Sequence, residues 1–520
     1  MTGTPRNIAE TVDHWRAVKP DAEAIRVGAR SWTWSEFGER IRRNAAAQLA
    51  SGLRAGDRIV SYDKNHPFCL ETSLACTLTG TANAVVNFRL APPEVAYIIN
   101  DAKANVVLVG HEFLPVLAQI RADLPTVRQV IVVGGEQDEY EAWLAGSEPL
   151  DAEPVAESET FLQLYTSGTT GFPKGAMLTQ HNMHAHALAL DDSVGVDESS
   201  VAMVAMPLFH VGGSSWALGT LFHGARQLIV RDVNPPALVE EMIEQRVSHT
   251  FIVPAIFGFL LQVPGIADRD WSHFQSVLYG ASPMPLPLLR KSIATFPVKF
   301  FQVYGMTEAS GAVTILGADE HNDRANEHRL LSAGLPMRGV EIIAADPVTG
   351  EPLAAGEVGE ILVRSEQVMA GYWDKPQETA NAIVDGWLHS GDLGHIDEDG
   401  YVYISDRVKD MIISGGENIY PAEIERVLGE HPNVADVAVI GVPDEKWGEV
   451  GKAIVTPVPG ATVDPAELTA ELMSLARQNL ASFKVPKTVE VIAEMPRNAT
   501  GKILKKDLRA PYWVDRSRSV

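Results

Sequence analysis

Eleven residues, Tyr165-Thr-Ser-Gly-Thr-Thr-Gly-Phe-Pro-Lys-Gly175, combine four Ser or Thr hydroxyls, three glycines and one lysine. We call this segment the phosphate loop. Glycines let backbone N–H groups approach an anion closely, hydroxyls add donors, and Lys174 supplies a positive charge. It is not a Walker loop, because no Gly-Lys-Ser/Thr follows its first glycine at the required interval. The composition therefore predicts a polyphosphate cradle, since a mobile Ser/Gly linker would leave Pro173 and Lys174 unexplained.

Seven further clusters of glycines, hydroxyls and charged residues follow along the chain. They are Pro207–Gly213, Gly280–Pro283, Tyr304–Glu308, Gly386–Gly394, Tyr403–Asp410, Ser414–Glu423 and Pro496–Lys502. With the phosphate loop, and in this order, they resemble the adenylate-forming superfamily of acyl-CoA ligases, firefly-type luciferases and peptide-synthetase adenylation domains. The resemblance extends from about the first strands to Asp507. Within the superfamily the chain most resembles bacterial fatty-acyl-CoA ligases.

The resemblance implies a reaction in two steps. The carboxylate of an acid attacks the α-phosphorus of ATP, which gives an acyl-adenylate and pyrophosphate, and the thiol of CoA then displaces AMP. Mg²⁺ is expected as the phosphate counterion. The protein must neutralise phosphate charge, align the carboxylate with the phosphorus and exclude water.

The same resemblance assigns roles to individual residues. Glu308 is the expected Mg²⁺ ligand, because a hard cation prefers carboxylate oxygen, and Thr307 offers its hydroxyl to the α-phosphate. Asp392 resembles the ribose-binding carboxylate, which accepts from both ribose hydroxyls. Arg407 would contact the same ribose or instead pair with Asp406 or Asp410.

By the same resemblance, the nucleotide and CoA contacts are expected in the phosphate loop, in the later motifs and in the loop Ser414 to Tyr420. Tyr304 should flank the adenine, with Gly280 to Ser282 on the other side of the base. The complete expected set is Thr166, Ser167, Gly168, Thr169, Thr170, Gly171, Lys174, Gly280, Ala281, Ser282, Tyr304, Gly305, Asp392, Arg407, Ser414, Gly415 and Gly416.

The resemblance assigns roles to three more residues, of which Lys502 and His210 also have an ordinary interpretation. Lys502 lies on a turn-rich tip where a solvated lysine would be unremarkable, but the resemblance assigns it to the developing charge at the α-phosphorus. Lys409 matches the hinge about which a small domain rotates between the two steps. His210 is either a buried, hydrogen-bonded histidine or a gate between the acyl pocket and the thiol channel.

The elements that must position these residues alternate in type. Strands are predicted at 58–62, 84–87, 105–109 and 129–134, and helices at 35–53, with Ser35 as N-cap, and 66–78. This rhythm indicates an α/β fold with parallel or mixed sheets flanked by helices. The resemblance adds a small, mobile α+β domain at the C-terminal end.

Charge supports a division of the chain into 1–406 and 407–520, with the hinge at 406–410. The net charge is −24, and nearly all of the acidic excess precedes residue 407. So acidic a surface argues against nucleic acid as a partner. No apolar run is long enough to cross a bilayer and no leader is recognised, so a cytoplasmic location is predicted. Peripheral membrane contact through the basic tail and a homodimer stay open.

Side chains outside the motifs have simpler interpretations. Cys69 and Cys76 are predicted to be buried thiols on one helix face. The histidines at 181, 184 and 186 have poor spacing for a metal and are predicted to be capping or surface residues. For the aromatic residues Trp216, Phe251, Phe257 and Phe259, the hydrophobic core is favoured over the acyl pocket.

Several alternatives to a fatty-acyl-CoA ligase stay open. The acyl group could be delivered to a carrier protein or to oxygen, or the acid could be aromatic, as in 4-coumarate ligases. A nucleotide-binding regulatory protein without catalysis is disfavoured because Glu308, Asp392 and Lys502 are all present.

Overall fold

The computed structural model describes residues 5–514 apart from 137, 167–172, 283, 348, 408–409, 415–416, 420, 445–446, 462, 481, 483 and 498–502. The side chains of 191–193, 406–407, 413, 417–418 and 448 are also outside the described set. Helices and strands are numbered in chain order.

The α-helices are α1 Thr11–Val18, α2 Trp34–Ala50, α3 Pro67–Thr79, α4 Pro92–Asp101, α5 Leu114–Ile120, α6 Tyr140–Ala145, α7 Gln180–Val194, α8 Val211–Phe222, α9 Pro235–Glu244, α10 Pro254–Leu260, α11 Leu286–Thr295, α12 Ala318–Asn322, α13 Pro376–Ala382, α14 Pro421–Gly429, α15 Pro465–Asn479 and α16 Lys505–Arg509. Most of them follow a strand and cover a face of one of the sheets, as the alternating sequence pattern predicts.

One sheet carries the phosphate loop. Its strands are β3 Arg58–Tyr62, β4 Ala82–Val86, β5 Val106–Gly110, β6 Gln129–Val133, β7 Thr160–Thr166, β8 Lys174–Thr179 and β18 Gly371–Tyr372. Their order is β18-β8-β7-β4-β3-β5-β6. The five strands from β7 to β6 in that order are parallel to one another, and β8 pairs antiparallel with both β7 and β18.

A second, larger sheet lies in the same part of the chain. Its strands are β1 Glu23–Val27, β2 Arg30–Thr33, β9 Val201–Val204, β10 Arg226–Ile229, β11 His249–Ile252, β12 Ser276–Gly280, β13 Lys299–Met306, β14 Gly311–Leu316 and β15 Leu335–Pro336. The order is β15-β14-β13-β12-β11-β9-β10-β1-β2. Strands β9 to β13 are parallel, so their carboxyl ends lie at one edge.

Two smaller sheets follow. The first contains β16 Val340–Ala345, β17 Gly359–Ser365, β19 Ile383–Val384, β20 Trp387–Ile396 and β21 Val402–Arg407. The second contains β22 Ile412–Ser414, β23 Glu417–Ile419, β24 Val434–Asp444, β25 Gly448–Pro457 and β26 Thr488–Val491. Within the described residues, this last sheet contains only strands that follow residue 411. The α/β class with a smaller C-terminal α+β unit is confirmed, while the boundary at 406–410 stays a prediction.

Local sequence explains most element bounds. The strands at 58–62 and 106–110 are buried throughout, as expected for parallel strands covered on both faces. Helix α2 begins at Trp34 and ends at Ala50, and its N-cap is Thr33, whose side chain accepts from the Glu36 N–H. The predicted Ser35 cap is wrong, because Glu36 completes a capping box with Thr33.

The hydrophobic core lies between the helices and the two large sheets. Cys69 and Cys76 are buried, free thiols on α3, as predicted. Burial raises the pKa of both thiols to about 12, so neither is a ready nucleophile. Over the described part of the chain, each helix is too short or too polar to traverse a bilayer.

Candidate functional site

The carboxyl ends of β12 and β13 bring two of the predicted motifs together. In this parallel pair Gly280 lies opposite Val303, which directly precedes Tyr304. A Cβ on Gly280 would lie 2.2 Å from the Val303 carbonyl oxygen, so only glycine fits this approach. Ala281 follows with a φ of 62°, a left-handed conformation that is strained for alanine. The loop after β12 and the Tyr304 ring therefore share one edge of the sheet.

Tyr304 is joined to Asp392. Its hydroxyl donates to Asp392 Oδ2 at 2.7 Å, although 88 residues separate the two in the sequence. Asp392 is only 5% exposed, and its backbone N–H donates to Ser390 Oγ at 3.0 Å. It lies within β20, with Gly391 before it at a φ of 70°. A buried carboxylate thus faces the end of β13.

The backbone of β21 runs beside this carboxylate. Arg407 lies opposite Asp392 in the β20–β21 register, although the Arg407 side chain is outside the described set. Asp410, one of the two predicted alternatives for Arg407, forms an ion pair with Arg509 at 2.6 Å. The register keeps Arg407 near the Asp392 position, and its expected ribose contact stays a prediction.

Glu308 lies in a single 3₁₀ turn, Thr307–Ala309, between β13 and β14. The turn is closed by Ser310 at a φ of 58°, and the Glu308 carbonyl accepts from the Met369 N–H at 2.8 Å. Thr307 and Glu308 are both half-buried. A non-glycine residue in the left-handed region indicates a backbone held in place by its surroundings.

Tyr372, which the sequence analysis did not identify, connects Glu308 with the phosphate loop. Its hydroxyl donates to Glu308 Oε1 at 2.8 Å, and Lys174 Nζ lies 5.1 Å from the centre of its ring. The Thr166 side chain lies close to the Tyr372 hydroxyl. Burial, followed by the negative charge of Glu308, raises the pKa of Tyr372, so its hydroxyl stays a donor.

The pairing of three strands explains this arrangement. In the β7–β8 hairpin Thr166 lies opposite Lys174, and these two residues are the last pair of the hairpin on the side of the phosphate loop. On the other side of β8, Tyr372 lies opposite Ala176. Tyr372 is therefore positioned by the two-residue strand β18. The first residue of this strand is Gly371, where a Cβ would lie 2.6 Å from Thr379 Cγ2, so a larger residue would not fit.

His210 occupies the N-cap of α8. Its Nδ1 accepts from the Gly212 N–H at 3.1 Å, and the residue is half-buried. Asn65 braces the preceding segment, because it donates to the Met206 carbonyl at 2.9 Å and accepts from the Leu208 N–H at 2.8 Å. This hydrogen-bonded cap accords with the ordinary interpretation of His210, and the gate stays a prediction.

The structure corrects two expectations about other side chains. His186 is 2% exposed and its Nδ1 lies 3.1 Å from Gln367 Oε1, so it is not a capping or surface residue. Burial lowers the pKa of His186 to about 4. Phe259 is 53% exposed and does not belong to the core, unlike the buried Phe251. Among the residues described, no three His, Cys, Asp or Glu side chains are grouped as metal ligands.

Several predicted residues lie outside the described set. They are Ser167, Gly168, Thr169, Thr170, Gly171, Lys409, Gly415, Gly416 and Lys502. Of the loop that follows the hinge, Ser414 is described, at the end of β22 opposite Gly448 of β25. The structure therefore brings together Gly280 to Ser282, Tyr304 and Asp392, and it links Glu308 to Thr166 and Lys174.

Comparisons with known proteins agree with this geometry. Residues 12–373 match the model of the AMP-binding enzyme family, and residues 423–502 match that of the AMP-binding enzyme C-terminal domain. The chain is 40% identical over 497 residues to a feruloyl-CoA synthase from an Amycolatopsis species, covering 95% of this chain and 97% of the relative.

Two other proteins extend the comparison. A fatty acid–[acyl-carrier-protein] ligase, ScoC of Streptomyces coeruleorubidus, is 36% identical and covers 99% of this chain and 98% of its own length. The ATP-bound structure of MatB from Rhodopseudomonas palustris superposes with a TM-score of 0.88 at 30% identity, with 97% of this chain and 98% of MatB covered. The chain belongs to the AMP-binding enzyme family and is an acid–thiol ligase of the adenylate-forming superfamily.

Proposed function

We propose that this ligase joins a carboxylic acid to CoA with the conversion of ATP to AMP and pyrophosphate. The observation that carries the proposal is the position of Tyr372, which is hydrogen-bonded to Glu308 and lies beside Lys174 and Thr166 of the phosphate loop. A carboxylate, two hydroxyls and an ammonium group at one place suit a polyphosphate with its counterion. The Tyr304–Asp392 pair, reached along β13, provides a place for the nucleoside.

The nucleoside would lie at the carboxyl ends of β12 and β13. In this proposal Tyr304 and the segment Gly280 to Ser282 flank the adenine, while Asp392 accepts from the ribose hydroxyls. A buried carboxylate makes stronger hydrogen bonds to hydroxyls than a neutral amide would. The Tyr304 hydroxyl already fixes one oxygen of this carboxylate, so the other is oriented before the ribose arrives.

The phosphates would lie between the phosphate loop and Glu308. Mg²⁺ fits this donor set, because it commonly takes one or two carboxylate oxygens and completes its shell with phosphate oxygens and water. Glu308 has one oxygen held by Tyr372 and is half-buried, so it can hold the ion. The ion neutralises phosphate charge when it is bound. Lys174 adds a point charge and Thr307 a hydroxyl next to Glu308.

Two poses of the C-terminal unit complete the proposed cycle. Lys502 stabilises the charge that develops at the α-phosphorus, and it withdraws before the thiol attacks. Lys409 serves as the hinge, and the segment 414–420 then takes its place at the thioester step. Separate poses allow one site to serve two reactions that require different groups and that must both exclude water.

For the acid we propose a phenylpropenoate, since a feruloyl-CoA synthase matches this chain at 40% identity along nearly its whole length. A fatty acid, the substrate class that the sequence motifs favour, is the second candidate. It is supported by the 36% identity to ScoC, which its name describes as a fatty acid–[acyl-carrier-protein] ligase.

A panel of acids tests both the proposed ligase activity and the proposed class of acid. Purified enzyme is given ATP, Mg²⁺ and CoA with ferulate, cinnamate, octanoate or palmitate, and CoA-dependent AMP formation is followed. A higher kcat/KM for ferulate than for octanoate supports the phenylpropenoate, and the reverse order assigns the fatty acid. Faster turnover with a phosphopantetheinylated carrier protein than with CoA would contradict CoA as the acceptor. Absence of AMP with every acid would contradict the ligase activity.

A further inference from the structure

Asp101 is a charged residue placed behind the phosphate loop. It is the last residue of α4, and its side chain is only 12% exposed. Tyr165 Oη donates to Asp101 Oδ2 at 2.9 Å, and Lys375 Nζ donates to Oδ1 at 2.9 Å. The indole N–H of Trp373 donates to the Asp101 backbone carbonyl at 3.0 Å. Asp101 thus connects the end of α4 to Tyr165, the first residue of the phosphate loop.

The other end of the loop is held from the same helix. Tyr97 lies one turn before Asp101 on α4, and its hydroxyl donates to the Pro173 carbonyl at 3.2 Å. The same proton is shared with Asp101 Oδ1, which lies 3.4 Å from the hydroxyl and is its second, longer acceptor. Tyr165 precedes the undescribed stretch 167–172 and Pro173 follows it. Tyr165 and Pro173, on either side of that stretch, are therefore both connected to one carboxylate.

The surroundings suit a hydrogen-bonded carboxylate at this position. Lys375 compensates the charge of Asp101, whose hydrogen bond raises the pKa of the lysine. Burial, and then the nearby charge of Asp101, raise the pKa of Tyr165, so the phenol stays a donor. A half-buried carboxylate with donors on both oxygens makes strong, directional hydrogen bonds.

A second layer of contacts braces the tyrosine. Gln163 Nε2 donates to Tyr165 Oη at 2.9 Å, and Arg58 Nε donates to Gln163 Oε1 at 3.1 Å. The Arg58 guanidinium in turn lies 3.4 Å from the centre of the Trp373 ring. The Tyr165 ring is thereby fixed from two sides, which makes its position depend on a connected polar network.

We infer that Asp101 is a positioning residue for ATP binding, acting through Tyr165 and Tyr97 on the two ends of the phosphate loop. This inference rests on the proposed function of that loop. A loop whose ends are fixed loses less conformational freedom when a triphosphate binds, so binding is tighter. Asp101 touches neither the nucleotide nor the acid in this scheme, and the thioester step does not depend on it.

The variant Asp101→Asn tests the inference, with Asp374→Asn as the matched control. Asp374 pairs with Lys103 at 2.8 Å and so joins nearly the same two segments, but both side chains are exposed. In Asp101→Asn the KM for MgATP in acid-dependent pyrophosphate release should rise about tenfold or more, because hydrogen bonds to a charged group are lost. The KM for the acid and the rate of thioester formation from supplied acyl-adenylate should not change.

Tyr165→Phe provides a second variant that keeps the ring. It should raise the KM for MgATP in the same way, and the double variant with Asp101→Asn should add little, because both changes break one interaction. An unchanged KM for MgATP in Asp101→Asn would overturn the inference. So would a parallel loss of both half-reactions, which indicates general destabilisation.

Direct binding separates this inference from the proposed function. Calorimetric titration of MgATP into wild-type enzyme and Asp101→Asn needs no acid and no turnover. Weaker binding to Asp101→Asn, with Asp374→Asn as tight as wild type, supports the positioning role even if the acid is unidentified. Equal affinity of all three proteins contradicts it, whatever the acid panel shows.

Discussion

Replacement of Tyr372 by phenylalanine removes one hydroxyl from the centre of the site and preserves the ring. The hydroxyl donates to Glu308 Oε1 at 2.8 Å, while the ring lies 5.1 Å from Lys174 Nζ. Tyr372→Phe therefore breaks the link between Glu308 and the phosphate loop without opening a cavity. The Glu308 carboxylate then loses the donor that fixes its orientation, and it should hold the metal–phosphate complex less well.

The size of the effect follows from the charge and the exposure of Glu308. A hydrogen bond to a charged group contributes about 1.5–3 kcal/mol. Because Glu308 is half-buried, water replaces part of the lost interaction, so we take the lower part of this range, about 1.5–2 kcal/mol. At about 1.4 kcal/mol per tenfold change, kcat/KM for adenylation should fall by about 10- to 30-fold.

The assay is acid-dependent pyrophosphate release, measured as a function of Mg²⁺ and ATP concentration. Since the pKa of Tyr372 is raised above its ordinary value, the wild-type hydroxyl stays protonated, and the loss should be the same at neutral and mildly alkaline pH. Tyr401→Phe is the control, because it removes a similar hydroxyl bond to Glu320, at 3.0 Å, without touching the site. An unchanged kcat/KM in Tyr372→Phe, or an equal loss in Tyr401→Phe, would refute the reasoning.

Three further predictions concern the two steps and the pH dependence of stability. Lys502→Ala should abolish acid-dependent pyrophosphate release but spare thioester formation from supplied acyl-adenylate; equal loss of both half-reactions would contradict its role. Lys409→Pro should spare adenylation and block CoA transfer, whereas unchanged overall turnover would remove the hinge hypothesis. Burial lowers the pKa of His186 from 6.5 to about 4. Between pH 6.5 and pH 4 the unfolded chain therefore binds a proton at this histidine that the folded chain does not. The free energy of unfolding should fall as the pH drops through this range. Urea unfolding should show a loss of about 1.4 kcal/mol per pH unit from this histidine, and His186→Gln should show a shallower slope.

Some of the fold could be predicted because single segments determined it. The strands at 106–110 and 129–133 follow from β-branched runs, which favour a strand. The prediction of Ser35 as the N-cap of α2 is wrong, and the sequence itself contains the stronger signal, because Thr33 followed three residues later by Glu36 forms a capping box.

The contacts that complete the site could not be predicted in this way. Tyr372 reaches Glu308 only because β18 pairs with β8, a partner almost two hundred residues earlier in the chain. Asp101 reaches Tyr165 because α4 ends beside the β7–β8 hairpin. Neither residue lies in a motif of glycines and hydroxyls, and their roles depend on strand order, which local patterns do not encode.

The double pairing of β8 also constrains how the chain can vary in length. Neighbours on both sides hold this strand, and successive side chains along it point to opposite faces of the sheet. A single inserted or deleted residue in 174–179 would turn Lys174 away from the face it now shares with the Tyr372 ring, or else would break one of the two ladders. Homologues and engineered variants should therefore tolerate indels in surface connections but not inside this strand.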